Sequence, residues 1–224
     1  SSVLEHHENS GNGKTNDLGT ARIARHLAAE LGAPASLEDW VYLSQILQAD
    51  GIRRGVEALR RNHPQSTGAL YWQLDDNWPV ISWSSIDYHG RWKALQYAAR
   101  RFFSPVLVSA VVEGSAEPVD IGRTGKVRVF GASDRLEDTK ATLLWSLRRF
   151  DGAEVRRGEQ PVLLPANRGT LIAELSFEKE VGEAAGRRTY CKESYEERRR
   201  HYVEYRLVQG DRELEQAIVA VMND

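Results

Sequence analysis

The chain changes its hydrophobic rhythm once, near residue 105: before it apolar positions recur at helical spacing, after it they alternate. From Ala21 to Leu31 the residues Ile23, Leu27 and Leu31 return every four positions, which predicts one helix with a single apolar stripe. The stretch GAP at 32–34 ends that helix. Ser36 then offers an N-cap, with Asp39 three residues on, close to a capping box. A second helix is expected from about Leu37 to Asn62, with Trp40, Leu43, Ile46, Leu47, Val56 and Leu59 on one side. Pro64 and Gly68 bracket a turn, GALYWQL follows as a short apolar strand, and RWKALQYAARRFF (91–103) reads as a third helix. Helix, strand, loop and helix in succession are the grammar of a parallel α/β fold.

After Pro105 come short alternating runs at 106–113, 126–132, 142–150, 170–177, 201–208 and 217–222, with weaker strand signals at 119–121 and 161–164. Period-two alternation broken by Gly, Asp and Asn turns predicts an antiparallel β-sandwich. The charged run Glu178–Arg200 interrupts the pattern as an insertion. The expected organisation is therefore α/β over 1–105 and all-β over 106–224. One parallel strand cannot make a sheet, and a closed α/β barrel needs eight strands and about 250 residues. The first part reads as the C-terminal fragment of a larger domain whose earlier strands lie elsewhere.

Composition narrows the function classes. Thirty Lys+Arg against thirty-two Asp+Glu leave a net charge of −2, which argues against a nucleic-acid partner or a polybasic membrane anchor. No apolar run approaches the ~20 residues of a membrane span. The single cysteine, Cys191, excludes an internal disulfide framework, and its charged surroundings (TYCKESYEERRRH) read as solvated. No cofactor or metal is expected. His6, His7 and Glu8 in EHHENSGNG lack the helical spacing of a zinc site and read as a solvated loop, and GNGKT (11–15) lacks the spacing of a phosphate loop. The first residues lack the apolar core of a signal peptide and do not resemble a natural start, so they leave the compartment open.

The candidate chemistry lies in ALYWQLDDNWPVISWSSIDYHGRWKAL (69–95), which holds four of the six tryptophans with three aspartates among them. In an α/β barrel the ligand sits where strand C-termini open into loops. Trp72 and Trp78 flank such a strand end and can turn two indoles toward one cleft, with Asp75, Asp76 and Asn77 at its rim. A pyranose suits this set, because its C–H face packs on an indole and its hydroxyls bond to carboxylates and amides. The plainer alternative is that the tryptophans pack a barrel end and a domain interface, and that role is assigned to Trp83 and Trp92.

The same segment closely resembles the end of the catalytic barrel in the β-mannosidases of glycoside hydrolase family 2. That family carries LYWQLND-x-WP followed by SWSSIDYYGRWKAL; here the residues are Leu70 through Pro79, then Ser82 through Leu95. VYLSQILQADGIRRGVEALRR (41–61) is similar to the family's seventh barrel helix, and the sandwich corresponds in place to its immunoglobulin-like domain. The resemblance is strong from about 38 to 107, and the SWSSIDY string favours mannoside specificity. It implies a (β/α)8 TIM-barrel fragment followed by an immunoglobulin-like β-sandwich, from a retaining exo-β-mannosidase that removes terminal non-reducing β-D-mannose from a β-mannoside oligosaccharide.

Such an enzyme uses two glutamates about 5–5.5 Å apart, both on earlier strands. Glu5, Glu8, Glu30, Glu38 and Glu57 fit neither the family's Asn-Glu pair of the acid/base strand nor its Glu-aromatic-Gly motif of the nucleophile strand, so no catalytic residue is expected here and the chain alone is expected to be inactive. Trp72, Asp76 and Trp78 are the candidate substrate-binding residues. Trp72 maps onto the aromatic beside the terminal sugar, and the likeness implies a cis Trp72–Gln73 peptide. Asp76 matches the family aspartate. Asp75 replaces an asparagine, which exchanges a group that donates and accepts for one that only accepts. The rival class is a non-catalytic carbohydrate-binding or interaction module built on the β-sandwich.

Overall fold

The computed structural model describes residues 6–7, 19–112, 125–181 and 201–221. The chain divides into two compact units, one formed by the residues up to Leu59 with Gly68–Ser104, the other by Arg60–Thr67 with the chain from Pro105 onward.

The first unit contains helix α1 (Gly19–Glu30), most of α2 (Leu37–Arg61) and α3 (Ala94–Phe102). Helix α2 starts as its sequence predicts: Ser36 Oγ accepts a hydrogen bond from Asp39 N at 3.0 Å and satisfies a donor the helix cannot. In α3 the apolar residues Leu95, Ala99 and Phe102 fall on one face, and they pack with Ala49 and Val56 of α2 into a small core that Ala69 and Tyr71 help to close. Ile46 and Leu59, on the predicted stripe of α2, remain 38% and 42% exposed.

The expected strand at 68–74 is corrected. Gly68–Tyr71 belongs to no ladder, and pairing is confined to isolated bridges, Asp75 with Ile86 and Ile86 with Trp92. A parallel strand is stable only as an interior member of a covered sheet, and no such neighbours occur among the described residues.

The second unit is an immunoglobulin-like sandwich of β1 (Val106–Val112), β2 (Lys126–Ser133), β3 (Thr139–Arg149), β4 (Glu154–Leu164), β5 (Arg168–Ser176), β6 (His201–Gln209) and β7 (Arg212–Val221), with a short α4 (Glu178–Val181) after β5. One sheet runs β1-β2-β5 and the other β4-β3-β6-β7. All these neighbours pair antiparallel. Alternation supplies the core: Val127 and Val129 of β2, Leu143 and Leu147 of β3, and Val203, Tyr205 and Leu207 of β6 are buried together. The β6–β7 hairpin turns at Gly210, whose φ of +60° a glycine adopts without steric cost.

Strand β4 is longer than its sequence signal. Its first residues, EVRR, are exposed, because β4 is an edge strand and apolar alternation is not required of it. Pro161, opposite Thr142, is tolerated there because an edge strand has one side with no ladder to donate to. The weak strand signal at 119–121, Cys191 and the insertion beyond Val181 lie outside the described residues.

Within this unit the turn that ends α2 is held by the sandwich. Arg60 Nη2 lies 2.9 Å from Asp134 Oδ2, Arg61 Nη1 donates to Ser109 Oγ (3.1 Å), and Gly169 N donates to His63 O (3.2 Å). The approach at Gly169 is so close that a Cβ there would lie 2.4 Å from Arg61 O and 2.5 Å from Arg60 O.

Candidate functional site

The run from Tyr71 to Lys93 is fixed by side-chain contacts and scattered main-chain bonds rather than by a sheet. Tyr71 turns inward, edge-on to Phe102 and stacked with Phe103, and its hydroxyl lies 2.9 Å from Ser85 Oγ and 3.2 Å from Gln96 Oε1. Ser85 is fully buried; its N–H donates to Leu74 O at 3.1 Å, and Ile86 N donates to the same carbonyl at 2.8 Å. These bonds tie the chain on either side of the tryptophan-rich loop together, so that Trp72, next to Tyr71, is directed outward. Its side chain is 74% exposed, and the Trp72–Gln73 peptide is cis, as the family likeness implies.

Gln73 is held at both ends of its amide. Nε2 donates to Asp75 O (2.6 Å), and Oε1 accepts the indole N–H of Trp83 (3.2 Å). The carbonyl of Trp83 in turn accepts from Gln48 Nε2 on α2 (2.7 Å). Trp83 and Trp92, expected to pack a barrel end and a domain interface, are 41% and 45% exposed in this chain; Trp92 meets Tyr97 edge-on at 5.2 Å.

Asp76 does not stand at an open rim. Its side chain is 3% exposed and both oxygens are engaged: Ser82 Oγ donates to Oδ1 (2.6 Å), Ser84 Oγ to Oδ2 (2.5 Å), and Lys93 Nζ to Oδ2 (3.1 Å). Burial opposes the charge of this carboxylate, but the two hydroxyls and the ammonium outweigh it and hold the carboxyl below its ordinary range. Lys93 Nζ also donates to Ser84 Oγ (2.7 Å). The SWSSIDY string thus reads physically as a clamp: Ser82 and Ser84 hold Asp76, Ser85 holds Leu74, and Asp87 accepts from the N–H groups of His89 and Arg91 to close the turn before α3. Asp75, beside Asp76, is exposed.

Trp78 is 39% exposed and has a partner the sequence did not suggest. The imidazole of His7 stacks on it with centroids 6.0 Å apart and planes 21° apart. Composition gave no sign of this, because His7 sits in a polar, glycine-rich stretch with no apolar periodicity.

A cavity of about 340 Å³ in this unit is lined by Trp40, Leu37, Pro34 and Ile81 among others, apart from Trp72. Among the described residues no three His, Cys, Asp or Glu side chains gather closely enough to hold a metal ion. What the segment offers chemically is an outward indole at 72, a second at 78, and exposed polar residues at Asp75 and Asn77, on a loop anchored through Asp76.

Comparison with known proteins gives the class of protein to which this chain is similar. A family model described as the Mannosidase Ig/CBM-like domain matches residues 125–221. The chain is 33% identical to the β-mannosidase of Rattus norvegicus over 152 residues, covering 65% of this chain and 16% of that protein. It is 29% identical to the β-mannosidase of Capra hircus over 181 residues, covering 77% of this chain and 20% of the relative. The crystal structure of the β-D-mannosidase from Dictyoglomus thermophilum superposes on 98% of this chain and 23% of its own, with a TM-score of 0.75 and 25% identity. The exo-chitosanase of Amycolatopsis orientalis shares the fold at a TM-score of 0.69 and 16% identity, over 94% of this chain and 23% of its own. The chain is related in sequence and fold to the β-mannosidases of glycoside hydrolase family 2, and its match spans only a small part of each of them.

Proposed function

We propose that this chain is part of a retaining exo-β-mannosidase that hydrolyses terminal non-reducing β-D-mannose from β-mannosides. In this reading the first unit is the closing part of a (β/α)8 barrel, and Trp72, Asp76 and Trp78 form its sugar-binding wall. The indoles of Trp72 and Trp78 pack against C–H faces of the substrate, while Asp76 acts through the loop it anchors. The two glutamates of the reaction, acid/base and nucleophile, belong to polypeptide beyond this chain, so that the chain by itself is inactive. The glutamates described in the first unit support this: Glu30 and Glu38 are exposed on helices, and Glu57, buried on α2, accepts from Arg53 Nη1 at 2.9 Å.

The observation that carries the reading is the contrast at residue 72. Its neighbours Tyr71, Gln73 and Leu74 are all bonded into the unit, yet its own large apolar side chain is left 74% exposed. Leaving an indole in water forgoes roughly 2–3 kcal/mol of burial, an arrangement that suits a surface completed by a ligand. The test is the hydrolysis of an aryl β-mannoside by the whole protein that contains this chain. Trp72→Ala should lower kcat/KM about tenfold or more; unchanged kinetics would remove Trp72 from the site.

A further inference from the structure

The histidine pair at 6–7 is left without a task by the proposed function, and it does not resemble a metal site. The two imidazoles stand edge-on, 86° apart with centroids at 5.1 Å, so they do not converge on one ion. His7 is instead tied to the aromatic loop at three points. Its carbonyl accepts from Ile81 N (2.7 Å), its Nδ1 lies 2.5 Å from Pro79 O, and its ring lies against the Trp78 indole. A carbonyl oxygen only accepts, so Nδ1 carries the proton of this hydrogen bond.

These contacts hold Trp78 and the residues that follow it. The main-chain bond fixes the residue at 81, the ring bond fixes the carbonyl at 79, and the offset stack fixes the indole plane itself. An aromatic pair of this geometry favours one mutual orientation, and a wall that recognises a flat sugar face depends on the angle of its indole more than on its mere presence.

We infer that His7 is a positioning residue of the sugar-binding wall: it holds the Trp78–Ile81 loop and sets the face that Trp78 offers to the substrate. The inference rests on the proposed hydrolase function. His7 touches Trp78 and its loop, not the reacting atoms, and its loss should weaken ground-state and transition-state binding alike. KM should therefore rise while kcat is retained.

The test uses the whole hydrolase with an aryl β-mannoside, together with the indole N–H resonance of Trp78, assigned by its disappearance in Trp78→Ala. His7→Ala should raise KM roughly two- to tenfold, the equivalent of one hydrogen bond, and should shift the Trp78 resonance. In a Trp78→Ala background the same substitution should have no further effect on KM. His7→Asn, whose amide can donate from the position of Nδ1 but has no ring to stack, should recover part of the loss in KM, and His7→Gln, which can match only Nε2, should not. An unmoved Trp78 resonance in His7→Ala, an effect on KM that persists undiminished without Trp78, or recovery by Gln in place of Asn would overturn the inference. Should His7→Ala fail to fold, the Asn and Gln variants decide it. If the wild-type protein leaves β-mannosides intact, the proposed function falls, and the resonance alone then decides the role of His7.

Discussion

Lys93 Nζ lies 3.1 Å from Asp76 Oδ2, an ion pair between residues seventeen positions apart whose side chains are only 14% and 3% exposed. It joins the loop after Trp72 to the residue that precedes α3, and two serine hydroxyls complete it. Removing one partner of a buried pair leaves the other charged and unsolvated. Lys93→Met should therefore destabilise the protein by about 3 kcal/mol, measured as the loss of unfolding free energy in urea. A loss within a few tenths of a kcal/mol would mean that the serines alone carry Asp76.

The same pair sets a pH dependence. The carboxyl of Asp76 ionises more readily folded than unfolded, because Ser82, Ser84 and Lys93 outweigh the effect of burial. The unfolded chain therefore binds its proton first as pH falls. The contribution to stability is complete above the ordinary carboxyl value of about 3.9, and is lost as pH drops from there through the lower folded value. Urea midpoints measured from pH 6 down to about 2.5 should fall more steeply for the wild type than for Asp76→Asn. Parallel curves would contradict the clamp.

Trp83→Phe keeps an aromatic ring and deletes the N–H that donates to Gln73 Oε1. The cost in stability should be about 1 kcal/mol. Because Gln73 follows Trp72, the proposed activity of the whole protein on an aryl β-mannoside should also fall, chiefly through KM. Equal kinetics in wild type and variant would show that Gln73 is held well enough by Asp75 O.

Gly169→Ala places a methyl group 2.4 Å from Arg61 O, a main-chain atom that cannot rotate away. The turn His63–Thr67 or strand β5 must then shift, at a cost of about 2–3 kcal/mol, visible as a lower urea midpoint. An unchanged midpoint would show that this approach relaxes freely.

Much of the fold could be read from periodicity, because burial imposes it. All three long helices and the cores of β1, β2, β3, β5 and β6 follow apolar spacing that packing requires. Strand β4 escaped in its first half because an edge strand packs little and shows no alternation at EVRR. GALYWQL misled for the opposite reason: its apolar residues are there, but Leu70 is fully and Trp72 largely exposed, and a strand pattern without partners forms no ladder.

At the candidate site the likeness reached the backbone at Trp72 and not the side-chain geometry around it. The likeness marked Trp72 and its cis peptide. It could not tell that Asp76 turns inward while Asp75 faces solvent, since two adjacent aspartates look alike until Ser82, Ser84 and Lys93 are brought around one of them. Nor could spacing join His7 to Trp78 and Pro79, a contact that spans seventy-two positions.

The central claim, that the indole of Trp72 lies against the terminal sugar, is tested most directly by a crystal structure of the whole protein that contains this chain with a mannose-configured inhibitor bound. The account predicts the Trp72 ring in van der Waals contact with the C–H face of the sugar, carbon to carbon at about 4 Å, with both catalytic carboxylates supplied by segments other than this one. A sugar seated in the active site with that indole turned away, and no part of this chain touching it, would contradict the account.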